Sequence, residues 1–222
     1  MRDGIKMALY GALDLSGSLA AFAVMDDAGQ ILIDESRPMR GREAASLAVF
    51  LTDLLAGKGL TVRDVTHWTV GSGPGSFTGM RLASALVKGW VFGCPEIKVR
   101  CVPSALIAAS AADAETVAVL QDGRNQEMLV FGLKKQNGTY VPDGFTAVWN
   151  KEQAAEEMPR QHYSQWAVFA ADKMAVERLL PEDSAVVLQI SQTCSAVPLL
   201  RAAMPFDGDL DKLVYIRPAV FS

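Results

Sequence analysis

The sequence has 222 residues and a formal net charge of -4, and it is 50% hydrophobic and 21% charged. This is the composition of a globular protein, and it excludes a disordered, fibrous or low-complexity chain. The mild acidity argues against a protein that holds nucleic acid by its own bulk charge, but it allows a subunit that works beside a basic partner.

The cysteine and histidine content points to a protein of reducing cytoplasm without a metal of its own. Cys94, Cys101 and Cys194 are an odd number of cysteines with no C-x-x-C pair, so we expect buried thiols and no disulfide framework. His67 and His162 are far apart in sequence, so this chain alone is not expected to build a histidine metal site. No uncharged apolar run reaches about 18 residues, so no membrane span or membrane partner is expected.

The first elements in chain order are strands. Met7–Leu15, Leu19–Met25 and Ile31–Glu35 are short apolar runs. Gly17 and the segment 26–29 supply turns between them. The pattern predicts an antiparallel meander of three strands.

The next part of the chain alternates helices and strands. Helical spacing of apolar residues predicts helices over about 43–56 and 78–92, and an alanine-rich helix over about 103–112. Thr66–Val70 and Ile97–Val102 are strand-like. The order β-β-β-α-β-α-β-α predicts an α/β protein with a mixed sheet and helices on its faces, the ribonuclease-H-like half-fold of actin, Hsp70 and sugar kinases.

The second half is predicted as an abbreviated copy of the same kind, with the domains at 1–103 and 104–222. The last helix of this smaller lobe is expected to pack back on the first. Short segments of either type are predicted at 116–120, 128–134, 146–149, 151–158, 166–170 and 173–180.

The segment 71–81, Gly-Ser-Gly-Pro-Gly-Ser-Phe-Thr-Gly-Met-Arg, joins a strand to a helix. Glycines there let backbone N–H groups converge at a helix start, which favours an anion or phosphate site. It is not a Walker A loop, a G-x-G-x-x-G fingerprint or a G-x-S-x-G elbow. The alternative is a tight turn in which Ser76 or Thr78 caps the helix.

The same segment resembles a family signature. Residues 73–81 match the G-P-G-S-F-T-G-L-R pattern of the bacterial TsaB (YeaZ) family, with Met80 as the one difference. Shorter matches follow in order along the chain. They are Ala12-Leu13-Asp14, Lys88-Gly89, the segment 102–106, Asp122-Gly123-Arg124 with Glu127, and Tyr215-Ile216-Arg217-Pro218.

The resemblance implies a truncated, two-lobed member of the actin/Hsp70/sugar-kinase superfamily. It implies a non-catalytic scaffold that dimerises with a TsaD-type transferase, which carries the metal and adds threonylcarbamoyl to A37 of tRNAs that read ANN codons. A TsaE-type ATPase completes the assembly, and tRNA is reached only through the complex. The family also carries glycoprotease and peptidase M22 names, but no Ser-His-Asp or Cys-His set is evident here.

The chain departs from the family pattern in two places, and the first of them bears on nucleotide binding. Leu15 stands where the family has a threonine, and a leucine cannot donate a side-chain hydrogen bond to phosphate. Gly41-Arg42-Glu43 replaces the family's His-Ser-Glu at the start of the first helix. No intrinsic cofactor is therefore expected, and ATP or ADP is expected, if at all, at the interface with the partner.

The helix pair is expected to form the partner interface. In the first helix Leu47, Leu51, Leu54 and Leu55 are predicted to face the sheet, and in the second Leu82, Leu86 and Trp90. A second apolar stripe would then face outward, where it would be buried by a partner or, alternatively, within the chain. The predicted interface residues are Ala44, Ala45, Ala48, Val49, Met80, Ala83 and Val87.

A phosphate-binding turn is the other candidate site. Its residues would be Gly73, Gly75, Ser76, Thr78, Gly79, Arg81 and Asp14. An aspartate at the end of a first strand holds Mg²⁺-bound phosphate in superfamily enzymes, but Asp14 is alternatively a turn-capping residue. Asp122, Arg124 and Glu127 are alternatively an ion-pair set at a hairpin.

Three functions remain open on this basis. The first is the scaffold subunit, the second an ATP-dependent phosphotransferase or ATPase that uses Asp14 and Asp122, and the third a homodimeric paralogue that has lost the tRNA role.

Overall fold

A computed structural model describes residues 7–39, 46–182, 186–192 and 194–216. The first of its two sheets contains β1 (Leu9–Asp14), β2 (Leu19–Asp26), β3 (Ile31–Pro38), β4 (His67–Gly71) and β5 (Lys98–Val102), in the order β3-β2-β1-β4-β5. The first three strands are antiparallel, and β4 and β5 continue the sheet parallel to β1. The predicted meander and the predicted strand–helix alternation are confirmed.

Two helices cover one face of this sheet, α1 (Leu47–Ala56) and α2 (Phe77–Val91). Helix α1 buries Leu47, Leu51 and Leu55, which recur every four residues and so lie on one side of the helix. The core beneath the helices contains Trp68 and Phe22, whose rings stack 6.2 Å apart. The apolar runs of the first half predict strands that are buried on both faces, and they predict helices of this length.

The second sheet repeats the connectivity of the first. It contains β6 (Thr116–Asp122), β7 (Met128–Gln136), β8 (Thr139–Trp149), β9 (Gln165–Phe169) and β10 (Leu188–Ser191), in the order β10-β9-β6-β7-β8. Again three antiparallel strands are followed by two parallel ones. Helices α4 (Lys151–Glu157) and α5 (Lys173–Glu177) pack on its outer face, with a short 3-10 helix at Met158–Arg160.

Two short helices, α3 (Ala105–Ala109) and α6 (Val197–Leu200), lie between the sheets. One apolar cluster joins Ala12 and Ala21 of the first sheet to Val119 and Phe131 of the second through these helices. The layers are thus helices, sheet, helices, sheet, helices. Alanines on the inner strands allow the close approach of α6 to β1 and β2.

Arg100 on β5 fastens the end of α6 and the segment after it to the first sheet. It is 3% exposed and uses all five of its N–H groups. Nε donates to the Thr69 hydroxyl, and Nη1 and Nη2 donate to four backbone carbonyls. These belong to Leu199, Leu200, Ala202 and Met204. Burial lowers the pKa of the guanidinium to about 10.

The second half differs from its prediction in three places. Strand β8 begins at Thr139 rather than at about 146, because Pro142 and Gly144 lie inside the strand and masked its pattern. The positions of strand β10 and of the last helix, α6, were not predicted, since each spans only four residues. Helix α5 ends at Glu177, before the predicted 180.

Within the described ranges, no helix combines the length and the apolar character that crossing a membrane requires.

Candidate functional site

The glycine-rich turn between β4 and α2 is packed against the turn between β1 and β2. The Ser76 backbone N–H donates to the Ser16 carbonyl over 2.6 Å. The Ser72 N–H donates to the Val102 carbonyl, and the Gly73 carbonyl accepts from the Ser104 N–H, both over 2.8 Å. The turn is therefore fixed at the carboxyl ends of β1, β4 and β5.

Two glycines permit this packing. A Cβ at Gly79 would overlap the Leu15 carbonyl, and a Cβ at Gly75 would overlap the Ser16 carbonyl. Gly75 also has φ +147°, which L side chains rarely adopt. The first turn of α2 therefore approaches the β1–β2 turn closely because these positions lack a side chain.

Asp14 is buried at the end of β1, and its carboxylate has partners within the chain. It is 1% exposed, and it accepts from the Ser16 hydroxyl over 2.9 Å and from the Ser104 hydroxyl. Burial raises the pKa of Asp14, and the two hydroxyls partly oppose that rise. Leu15 beside it is 2% exposed and belongs to the hydrophobic core.

The N–H groups of the turn are also largely engaged. The Gly73 N–H donates to the Ser104 hydroxyl over 3.0 Å. The Gly79 N–H donates to the hydroxyl of Ser76, which caps α2 as one of the two predictions for this segment required. With the Ser76 N–H, three N–H groups that could otherwise bind a phosphate therefore donate to acceptors within the chain.

Arg81 and Thr78 lie on the exposed side of the first turns of α2. The Arg81 guanidinium stacks on the Phe77 ring, with its central carbon 3.8 Å from the ring centroid. Phe77 in turn contacts Tyr215, with ring centroids 5.1 Å apart. No acidic partner of Arg81 is found in the part of the chain that the structure describes.

Helix α1 turns the predicted side away from the sheet. Val49 is 61% exposed and Ala48 is half-buried. Phe50 is half-buried beneath the Arg37 guanidinium, 4.3 Å from its centroid. Ala44 and Ala45, two further predicted interface residues, lie outside the described residues.

The predicted rotation of α2 is wrong. Met80, Ala83 and Val87 were expected to face outward, but their exposures are 1%, 0% and 0%. The Leu82–Leu86–Trp90 side is half-buried instead, and Trp90 packs on Trp68 with centroids 5.0 Å apart. The close approach of Gly79 to Leu15 sets the rotation of the helix and brings the 80–83–87 stripe onto the sheet.

In the second sheet, the strand that corresponds to β1 is β6, and it leads into a hairpin turn to β7. Asp122 at the end of β6 accepts from the Arg124 backbone N–H over 2.8 Å, and the Gly123 N–H donates to the Glu127 carbonyl. Asp122 therefore caps the turn between β6 and β7. The structure does not bring Asp122 into the hydrogen-bonded group around Asp14 and Ser104.

Two residues of this region were not predicted from the sequence. Ser104 links Asp14 to Gly73, and its place directly after Pro103 at a helix start was the available signal. Asp172 precedes α5, and burial together with Asp122 raises its pKa to about 6. Asp172 and Asp122 are brought together by the topology of the second sheet, and no pattern in the sequence indicates that they are neighbours.

Metal-binding groups are scarce in the described ranges. No set of three or more His, Cys, Asp or Glu side chains there is arranged to hold a metal ion. The three cysteines are free thiols, and Cys94 and Cys101 are buried.

A family model described as TsaD: tRNA N6-adenosine threonylcarbamoyltransferase matches residues 42–204. The chain belongs to this family. The match supports a role in the formation of threonylcarbamoyladenosine in tRNA.

Two solved structures define the branch. YeaZ from Pseudomonas aeruginosa is 27% identical, with 87% of this chain and 89% of that chain covered and a TM-score of 0.68. An uncharacterized protein with similarity to peptidase YEAZ from Pseudomonas aeruginosa is 25% identical, with 95% and 100% covered and a TM-score of 0.72. No curated protein sequence matches the chain.

The TsaB (YeaZ) resemblance and the ribonuclease-H-like fold are thereby confirmed. The chain is thus a TsaB-type member of the family, with the duplicated sheet order and the signature segment at 73–81.

Proposed function

We propose that the chain is a non-catalytic subunit that docks onto a TsaD-type threonylcarbamoyltransferase and holds it in an active arrangement. The complex would modify A37 of ANN-decoding tRNAs in the cytoplasm, with a TsaE-type ATPase as a further component. The tRNA would be contacted only through the complex.

The observation that carries this proposal is the internal pairing of the glycine-rich segment that would suit phosphate. Asp14 is buried and bonded to two hydroxyls, and the N–H groups of Gly73, Ser76 and Gly79 have partners in the chain. A phosphotransferase needs such groups free to bind Mg²⁺ and phosphate oxygens. ATP or ADP would therefore be held at the interface with the partner, if the complex uses it there.

The outer sides of α1 and α2 support a docking surface. Val49 on α1 is 61% exposed and Phe92, directly after α2, is 83% exposed. Large apolar side chains exposed to water favour burial by a partner. The corrected rotation of α2 also removes Met80, Ala83 and Val87 from this surface and leaves Ala85 on its exposed side.

The proposal is tested by co-expression with the TsaD homologue of the same genome, followed by size-exclusion chromatography with light scattering. The interface variant is Val49→Glu with Ala85→Glu, because both side chains are exposed and neither supports the core. We expect a complex with the unmodified chain and stimulation of threonylcarbamoyl transfer to tRNA, and we expect both to be lost in the variant.

The matched control is Val187→Glu. Val187 is 74% exposed and lies in the second lobe, so this variant introduces the same charge away from α1 and α2. It should keep the complex. Failure of the unmodified chain to bind or stimulate the transferase would overturn the proposal.

The alternatives make different predictions. An ATPase or phosphotransferase would bind ATP with Mg²⁺ in calorimetry and turn it over without a partner, whereas we expect neither heat nor turnover. A homodimer of the isolated chain fits the scaffold too, because an unoccupied docking surface pairs with itself. A repurposed paralogue would remain a homodimer when the transferase is added.

A further inference from the structure

A cavity of about 700 Å³ lies at the end of the second sheet where β9 and β10 begin. Its volume falls in the range of small-molecule sites, about 300–1,000 Å³. Its described walls come from the second lobe, namely from α4 with the 3-10 helix that follows it, from the start of β9, and from Pro181, Val186 and Val187 ahead of β10.

Most of the wall is apolar and well packed. Met158 and Trp166 are 4% and 7% exposed, so both belong to the core beneath the cavity. Tyr163 is fixed edge-on to Trp166, with centroids 5.6 Å apart, and its hydroxyl donates to Asp143 over 2.8 Å. At the rim Val187 is 74% exposed. A ligand in the cavity would cover this valine.

Most polar groups of the wall already have partners. The Gln165 side-chain oxygen accepts from the Asp113 N–H over 2.9 Å, and the Ser164 hydroxyl lies 3.2 Å from that of Thr116. Gln189, on β10, is half-buried and lines the cavity. Its side-chain amide makes no hydrogen bond within the described ranges, so it offers one donor edge and one acceptor to a ligand.

The described part of the cavity wall is uncharged. None of the described residues that line it carries a charge. Close to the lining along the chain, Lys151 pairs with Glu182 over 2.9 Å and Arg160 with Glu156 over 3.0 Å, while the Asp143 carboxylate accepts from the Tyr163 hydroxyl. Burying an uncompensated charge there would be costly, so the site favours uncharged ligands.

We propose that this cavity binds an uncharged aromatic ligand that carries an amide-like edge, with the ring against Trp166 and Met158 and the edge paired with Gln189. This site does not depend on the docking function of α1 and α2. It would let a small molecule bind the second lobe while the first lobe holds its partner.

The test uses the full chain with ¹³C-methyl methionine and benzamide as the probe. The Met158 methyl signal, assigned with Met158→Leu, should shift saturably with a dissociation constant of about 1 mM or tighter. Benzoate has nearly the same shape but carries a charge, and it should produce no saturable shift. Gln189→Leu, or Gln189→Met where the leucine variant does not fold, should weaken benzamide about fivefold.

A blocking pair localises the effect. Ala155→Trp adds an indole to an exposed wall position and should abolish the shift, whereas Ala111→Trp, at an exposed position outside the cavity, should leave it unchanged. The proposal is overturned if benzamide shifts the signal only linearly with concentration or if benzoate binds equally well. It is equally overturned if Gln189→Leu binds as wild type does or Ala155→Trp leaves binding intact.

Discussion

The Ser104 hydroxyl donates to the Asp14 carboxylate while it accepts from the Gly73 backbone N–H. One fully buried side chain therefore joins the end of β1 to the glycine-rich turn and to the start of α3. In a nucleotide-binding relative, an aspartate and a turn at these positions would face a ligand. Here Ser104 bonds to both of them, and this supports the proposed non-catalytic role of the region.

Replacing Ser104 with alanine should lower the free energy of unfolding by about 1–3 kcal/mol, because the buried Gly73 N–H loses its acceptor and Asp14 loses a donor. Urea unfolding measures the change. Ser110→Ala is the control, since the Ser110 side chain is exposed and bonds only to the Ile107 carbonyl. A change of less than about 0.5 kcal/mol is expected there. Equal changes in the two variants would contradict the linking role of Ser104.

Two glycines of α2 should respond to alanine in opposite directions. Gly79→Ala places a Cβ against the Leu15 carbonyl, so we expect a loss of about 1–3 kcal/mol in the free energy of unfolding. Gly89→Ala meets nothing within 4 Å and should stabilise the helix by about 0.5–1 kcal/mol. Both variants are compared with wild type by urea unfolding. A stabilising Gly79→Ala would show that α2 does not approach Leu15 this closely.

The sequence predicted the first half well because its elements are long and strongly patterned. Three apolar runs separated by glycine and aspartate turns allow little besides a meander, and the helical spacing of Leu47, Leu51 and Leu55 marks one buried face. The signature at 73–81 identified the family without any structural information.

The rotation of α2 could not be predicted in the same way. The helix has two apolar stripes, Met80–Ala83–Val87 and Leu82–Leu86–Trp90, and periodicity does not say which one faces the sheet. That choice depends on the contact between Gly79 and the Leu15 carbonyl, which are far apart in sequence. The pairing of Asp14 with Ser104 is long-range for the same reason.

Arg100 should be among the residues most sensitive to substitution. Arg100→Met removes five hydrogen bonds and takes the arginine donor from the carbonyls of Leu200, Ala202 and Met204, while the Leu199 carbonyl keeps the Ala202 N–H, so a loss of about 3–5 kcal/mol in the free energy of unfolding is expected. Arg100→Lys should recover only part of this loss, since an ammonium has three donors. Chemical unfolding and limited proteolysis around residues 199–204 measure both effects.

The control for Arg100 is its near neighbour in space, Arg201. Arg201 is exposed and has no partner within the described ranges, so Arg201→Met should change the free energy of unfolding by less than about 0.5 kcal/mol. Full retention of stability by Arg100→Lys would mean that charge alone, not the number of donors, fastens the segment after α6.

Asp172 should make the protein less stable as pH rises from about 4 to about 6. Burial and the neighbouring Asp122 raise its pKa to about 6, against 3.8 in the unfolded chain. In this window the folded chain holds a proton that the unfolded chain has lost, so a rise in pH favours unfolding. Asp172→Asn removes the titration, and between pH 4 and 7 the variant should gain up to about 3 kcal/mol in unfolding free energy relative to wild type.

Urea unfolding at intervals from pH 4 to 8 tests this difference, which should grow through pH 6 and stay constant above about pH 7. Asparagine keeps an oxygen that can accept from the Asp122 backbone N–H, so the substitution changes charge more than contacts. Asp27→Asn, in the exposed turn before β3, is the control and should follow wild type within about 0.5 kcal/mol throughout. Parallel curves for wild type and Asp172→Asn would mean that Asp172 ionises in the folded chain as readily as in the unfolded one.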